Sequence, residues 1–397
     1  MPIHTPIIAA SRNGIVRPTQ VEVNLARLTE NYRAIQRQVT PAAVMPILKA
    51  NAYGHGLVEV ARHLAGLGAA YFGVAYLEEG ILLREAGVTT PVLVMGGILD
   101  NQLPLFFEYG LTLTASSVEK LQQIDSAAGR AGVMARAHLK IDTGMERIGV
   151  HYYNAASLLE ASLACQACQV EGIFSHFANS DSADLTSAYT QLQRFNDVLS
   201  FYAQRGLPAP LRHMANSGAI LQMPESYLDM VRPGIMLYGV YPTAEARRSV
   251  PVRPALAWKS RVVYFKVVLP DHPVSYGSTW VSDRMTRVIT IPVGYGDGYS
   301  RRMSGRAEVL VRGKRYPVIG RICMDQLMVN IGWDSAYNGD EVVLLGEADD
   351  QSITVEELAA WADTNVYEIL TSINTRVPRL YHRPALPDFP GSPPART

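Results

Sequence analysis

The sequence predicts an α/β chain: a (β/α)8 TIM-type barrel followed by a mostly antiparallel β-domain. Three observations carry this. Short β-rich runs alternate with amphipathic segments about eight times between Val21 and Tyr238, the rhythm of parallel strands joined by crossover helices. No Gly-x-Gly-x-x-Gly follows the first run, which weighs against a doubly wound open sheet. Near Pro251 the texture changes to strands separated by Gly, Pro and Asn/Asp turns.

Taken in order, the candidate barrel strands are Val21–Leu25, Val44–Ala50, Tyr71–Ala75, Pro91–Met95, Thr112–Thr114, Ala135–Ile141, Gly172–His176, Arg212–Met214 and Met230–Leu237. Each is a short apolar run of the kind that lies buried in a parallel sheet. Between them, Leu25–Val39, Leu57–Gly68, Glu78–Gly87, Ser117–Gly129 and Thr186–Gly206 read as helices. In the last, Tyr189, Leu192, Phe195, Val198, Leu199 and Tyr202 recur near the 3.6-residue period. Ser116 or Ser117 is placed to cap its helix, with an acidic residue close behind. The β-domain strands are Ala257–Val268, Arg287–Pro292, Ala307–Val311, Tyr316–Ile319, Gln326–Ile331 and Glu341–Leu345. One helix, Val355–Thr364, starts after a cap at Thr354 with Glu356 and Glu357 in its first turn. The layout is an N-terminal extension over 1–20, a barrel over 21–250, a β-domain over 251–385 and a loose tail over 386–397. The linker lies in 241–254, around Pro242, Pro251 and Pro254.

With 397 residues, 48% of them hydrophobic, the chain has ample material for a core, which excludes disorder as its main state. Lys and Arg number 36 against 36 Asp and Glu, with no block of like charge, so a nucleic-acid binder is excluded. The cysteines Cys165, Cys168 and Cys323 are too few for a disulfide framework. Cys165 and Cys168 have CxxC spacing, but no second Cys/His pair completes a metal site, so no metal is expected. No stretch reaches the ~20 apolar residues of a membrane span. Met1–Val16 lacks the apolar run of a signal sequence, and the expected location is cytoplasmic, with neither membrane nor nucleic acid as a partner.

Lys49 ends an otherwise apolar run, where burial lowers an amine's pKa towards the neutral form. A neutral amine at the C-terminal mouth of a barrel is where a Schiff-base lysine belongs, although a lone lysine at a strand end more commonly snorkels to solvent. The run from Lys49 to Gly56 reads Lys-Ala-Asn-Ala-Tyr-Gly-His-Gly. Its glycines permit close approach to a ligand, and the Tyr53 hydroxyl can meet a phosphate. This run resembles the cofactor-lysine signature of the alanine racemase family, which uses pyridoxal 5′-phosphate (PLP). Its Lys-Ala-Asn core also occurs in related barrel decarboxylases and in small PLP-holding proteins.

Further motifs follow in the family's order, from Lys49 to Arg379. In Leu139–Gly149, Arg147 lies in a Gly-bounded loop and can hold a carboxylate bidentately. The resemblance implies that Arg147 contacts the substrate carboxylate and that Lys140 can be a carbamate orienting it. Glu146 stands where many relatives have a small residue. Asn216 and Ser217, with the backbone of Gly234 and Ile235, suit a phosphate. By resemblance, His176 packs on the pyridine ring and Arg232 faces its nitrogen. An always-charged arginine cannot accept a proton there, so the ring is a poorer electron sink, which favours clean proton exchange over transamination. Ser275-Tyr276-Gly277 resembles the family's second-base motif. A tyrosine with an unperturbed pKa near ~10 needs activation, for which His176 and Arg232 are the candidates. Tyr295, in Gly294–Gly298, corresponds to a residue near the substrate entrance, with Gly296 where Ala is usual. Met324 and Asp325 in Arg321–Gln326 correspond to residues that reach the partner subunit's site, and Tyr367 to one that contacts the phosphate.

The resemblance covers nearly the whole chain and implies a PLP-dependent isomerase that interconverts L- and D-alanine. It uses two bases, Lys49 and Tyr276, in a homodimer with shared sites, and supplies or consumes D-alanine for peptidoglycan. The alternatives are a broad-specificity amino-acid racemase, a PLP-dependent decarboxylase, which should lack the Ser-Tyr-Gly and Cys-Met-Asp patterns, and a non-catalytic PLP carrier, which should lack the β-domain.

Overall fold

The computed structural model describes residues 17–383. The first sixteen residues of the expected N-terminal extension and the tail over 386–397 lie outside the described residues. Eight parallel strands close a barrel. Six form one hydrogen-bonded run, in the order Ala43–Val44, Met230–Val231, Leu211–His213, Cys168–Phe174, Ala135–Asp142 and Leu113–Ala115. The other two, Phe72–Val74 and Val92–Val94, pair with each other. Single parallel bridges, Ile47 to Gly73 and Leu93 to Thr112, join the pair to the run on either side. Phe72–Val74, Val92–Val94 and Leu113–Ala115 are buried at every position. This is why they read as continuous apolar runs, since helices cover one face and the barrel core the other.

The strand at Gln20–Asn24 is not in the barrel. It pairs antiparallel with Leu256–Arg261 and parallel with Arg379–His382, inside a ten-stranded, mostly antiparallel sheet. Val21–Leu25 was expected as a barrel strand; its alternation of buried and half-buried residues suits the larger sheet instead. Asn24 then caps the helix Leu25–Val39 by accepting from Arg27 N at 3.0 Å. The first and last described strands are thereby neighbours in one sheet.

The run expected as one strand over Ala257–Val268 is two, Leu256–Arg261 and Tyr264–Val268, which lie at separate places in the sheet. Met230–Leu237 is a two-residue strand followed by a 3-10 turn at Ile235–Tyr238. The helices Leu103–Glu108, Ala155–Ala164 and Val366–Ser372 were not expected. Ser117 caps its helix through Lys120 N, and Thr354 and Glu357 form a reciprocal capping box.

Gly239 follows the last barrel segment with φ +87°, and a Cβ there would lie 1.8 Å from Arg253 O. Gly239→Ala therefore meets both a left-handed backbone and a rigid carbonyl. It is expected to lower unfolding free energy by about 2 kcal/mol or more, read by urea denaturation. No described helix is long and apolar enough to cross a membrane.

Candidate active site

The C-terminal ends of the barrel strands open into a cleft of ≈ 570 Å³. Its wall brings together Lys49, Tyr53, Lys140, Arg147, His176, Asn216, Ser217, Arg232, Gly234, Ile235 and Tyr367. These are the sequence-derived candidates from the barrel, joined by Tyr367 on the helix Val366–Ser372 of the second half.

Lys49 does not end a strand. The strand stops at Val44, and Lys49–Tyr53 is a tight helical segment with left-handed dihedrals: φ is 54° at Ala50, 55° at Asn51, 53° at Ala52 and 51° at Tyr53. Such residues cost ~1–2 kcal/mol each, so the surroundings must impose the turn. Leu48 O accepts from Ala52 N at 2.7 Å, and Asn51 Oδ1 accepts from Leu57 N at 2.8 Å. Gly54 packs so closely on Leu370 that a Cβ would lie 2.2 Å from its carbonyl oxygen. Burial and the nearby Arg147 lower the Lys49 pKa, which favours the nucleophilic neutral amine.

A phosphate cradle follows from Gly234. A Cβ there would lie 2.6 Å from Tyr53 Oη and 3.7 Å from Ser217 Oγ, so only glycine leaves this space open. Gly234 N donates to Ser217 Oγ at 3.0 Å, while Asn216 caps the following turn through Ala219 N. Two hydroxyls around a side-chain-free gap form a donor set suited to a phosphate. Tyr53 is buried, which pushes its phenol well above its usual pKa and keeps it a donor. Its ring lies 6.2 Å from that of Tyr367.

Arg232 is held rigidly. Its guanidinium donates to Ser175 O at 2.7 Å, Met214 O at 3.0 Å, His213 Nδ1 at 2.9 Å and His176 Nδ1 at 3.2 Å. Arginine only donates, so both histidines accept at Nδ1 and carry their proton on Nε2. His213 passes its Nε2–H to His138 Nδ1 at 2.8 Å. Burial and the Arg232 charge keep these rings neutral: His138 is pushed down to about 3, and His176 and His213 lie well below the usual imidazole range. His138 and His213 were not among the sequence-derived candidates. The available signal was a histidine within a barrel strand, in Ala135–Asp142 and in Leu211–His213.

Lys140 is 4% exposed, with Nζ 4.8 Å above the Phe174 ring. Among the described residues no carboxylate bonds it, and burial with the charges of Arg232 and Arg147 drives its pKa far down. Asp142 accepts from the backbone N–H groups of Gly144, Met145 and Arg147, and so shapes the Arg147 loop. Glu146 turns away to His151 at 2.9 Å and does not crowd Lys140.

Four candidates do not line this cleft within the chain: Tyr276, Tyr295, Met324 and Asp325. They lie together on the second half instead. Ser275 Oγ donates to Arg321 O at 2.5 Å, Tyr295 N donates to Cys323 O at 3.1 Å, and Arg376 bonds Asp325 at 2.8 Å. Tyr276 is 70% exposed, and Tyr295 and Met324 are exposed with it.

Comparison with known proteins agrees with this geometry. The family models for the alanine racemase N-terminal and C-terminal domains match residues 23–242 and 255–381. An alanine racemase of Carboxydothermus hydrogenoformans is 45% identical, covering 92% of this chain and 100% of that protein. Among solved structures, alanine racemase from the D-cycloserine producer Streptomyces lavendulae superposes with TM-score 0.89 at 37% identity, covering 94% of this chain and 98% of that one. A histidine racemase from Leuconostoc mesenteroides superposes with TM-score 0.85 at 28% identity, covering 92% and 98%. The barrel, the second sheet and both family matches lead to one conclusion: the chain belongs to the alanine racemase family.

Proposed function

We propose that this chain is a PLP-dependent isomerase that interconverts L- and D-alanine. The observation that carries this reading is the convergence of an amine, two arginines and a phosphate cradle at one barrel mouth. Lys49 would hold the cofactor covalently; Tyr53, Ser217, Gly234, Ile235, Asn216 and Tyr367 would hold its phosphate, Arg232 would be the partner of its ring nitrogen, and His176 would pack on its ring. When bound, the cofactor withdraws electrons from Cα and so acidifies the α-proton of the amino acid joined to it.

The chain's own groups do the rest. Arg147 binds the substrate carboxylate and fixes the orientation of Cα. Lys49 takes or gives a proton at Nζ on one face. Tyr276 of a second copy does the same at Oη on the opposite face, because its own chain leaves it exposed and outside the cleft. Met324, Asp325 and Tyr295 arrive with it and narrow the entrance. His176 accepts from Arg232 at Nδ1 and keeps its Nε2–H as a donor suited to the Tyr276 oxygen of the second copy. A site completed by a second copy makes the homodimer the active form.

A buried Lys140 amine whose hydrogen bond goes to Ile141 O at 3.4 Å, with no carboxylate partner among the described residues, is chemically suited to carbamylation, which would turn it into an anion bonding Arg147. Carbon-13-labelled bicarbonate is expected to give a slowly exchanging carbamate resonance that Lys140→Ala lacks. The function itself is tested with purified protein, PLP and a panel of L-amino acids including alanine, serine and histidine. Optical rotation should decay to zero for alanine, with solvent deuterium entering Cα and no carbon dioxide released. Carbon dioxide release, or no change in rotation, would contradict the reading.

A further inference from the structure

Glu79 lies in the first turn of the helix Leu77–Glu85, where an acidic residue ordinarily serves the helix end. Its carboxylate does more than that. Oε2 accepts from Ala75 N at 2.8 Å and Tyr76 N at 3.3 Å, while Oε1 accepts from Ala50 N at 2.6 Å. The third donor belongs to another segment, twenty-nine residues away, and directly follows Lys49. We propose that Glu79 is a positioning residue, which pins the left-handed turn carrying Lys49 to the neighbouring strand end and so fixes where the Lys49 amine points. This rests on reading Lys49 as the cofactor lysine.

The turn needs such a tie. Ala50, Asn51, Ala52 and Tyr53 are all non-glycine residues with positive φ. Left alone, the segment would relax to ordinary dihedrals and swing the Lys49 side chain out of register. Leu48 N, before Lys49, donates to Gly73 O at 2.8 Å, and Gly54 O, at the far end of the turn, accepts from Arg379 Nε at 3.1 Å; the Glu79 bond is the tie on the N–H directly after Lys49. Capping accounts for Tyr76 N but not for Ala50 N. The carboxylate also sits among the charged groups that face the Lys49 amine. Arg147 and Arg232 disfavour its ammonium form and Glu79 favours it, while His176, Tyr53 and Lys140 line the same cleft.

The test uses the full-length holoenzyme. Borohydride reduction and peptide mapping first locate the linked lysine in the parent. A label on any lysine other than Lys49 overturns the premise and the proposal with it. Glu79→Gln has one carbonyl oxygen for three donors and no charge. It is expected to lower kcat for D-alanine by about tenfold with KM nearly unchanged. The inflection in the pH titration of the bound cofactor's absorbance should move down by about one pH unit. Glu79→Asp keeps the charge but is one methylene too short to span both segments. It should restore the inflection and leave kcat low. Parental kcat in Glu79→Asp, or parental titration and kcat in a folded Glu79→Gln, would overturn the proposal. Should circular dichroism show that Glu79→Gln has not folded, the kcat of Glu79→Asp decides alone.

Discussion

Lys49→Ala is expected to abolish the covalent cofactor absorbance and to lower racemisation by more than about 10⁴-fold, because the anchor and one proton-transfer group leave together. The fold should survive. Lys49 lies at the cleft wall, and the turn is held by backbone and Asn51 bonds that do not use its side chain. Absorbance spectra, intact mass after borohydride treatment and urea unfolding check the three parts of this expectation. A variant that still carries borohydride-fixable cofactor would show that another lysine does the work.

Tyr276→Phe should have the second-largest effect and a different signature. The hydroxyl is exposed within its own chain, so stability should change by less than about 0.5 kcal/mol. Cofactor binding should be intact, since Tyr276 does not line the cleft that holds it. Racemisation should fall by about 10²–10⁴-fold, the usual contribution of a placed acid–base group. The two enantiomers should then part company in deuterated water. Lys49 still exchanges the α-proton of D-alanine without inverting it, whereas L-alanine, whose proton points at the missing hydroxyl, exchanges slowly. Nuclear magnetic resonance of the α-proton reads both rates. Equal exchange from both enantiomers would remove Tyr276 from its role.

How much of this was legible in the sequence depends on the range of the interaction. Short buried runs such as Val92–Val94 and capped helices such as the one after Ser117 announce themselves locally, and each was found. Which sheet a strand joins is not local. Gln20–Asn24 alternates like any half-buried strand, and only its partners at Leu256–Arg261 and Arg379–His382 place it outside the barrel. The left-handed turn after Lys49 was hidden because its residues are Ala, Asn, Ala and Tyr rather than glycines. Tertiary bonds impose that conformation against local preference. Glu79 was hidden for a related reason: a Glu-Glu pair at the start of a helix already has an ordinary explanation. The family motifs, by contrast, name residues whose placement can be compared directly. The barrel residues named from them meet at one mouth, whereas Tyr276, Tyr295, Met324 and Asp325 sit on an exposed face of the other half.

That division gives the account its most direct test. Lys49→Ala and Tyr276→Phe chains, each nearly inactive alone and carrying different tags, are mixed under conditions that allow subunits to exchange. If every site takes Lys49 from one chain and Tyr276 from the other, the mixed dimer holds one intact site. At equal amounts, activity should return to roughly one quarter of the parental value, and the doubly tagged fraction should carry it. If that fraction stays as inactive as the separate variants, both groups serve a site within a single chain, and the shared-site account is wrong.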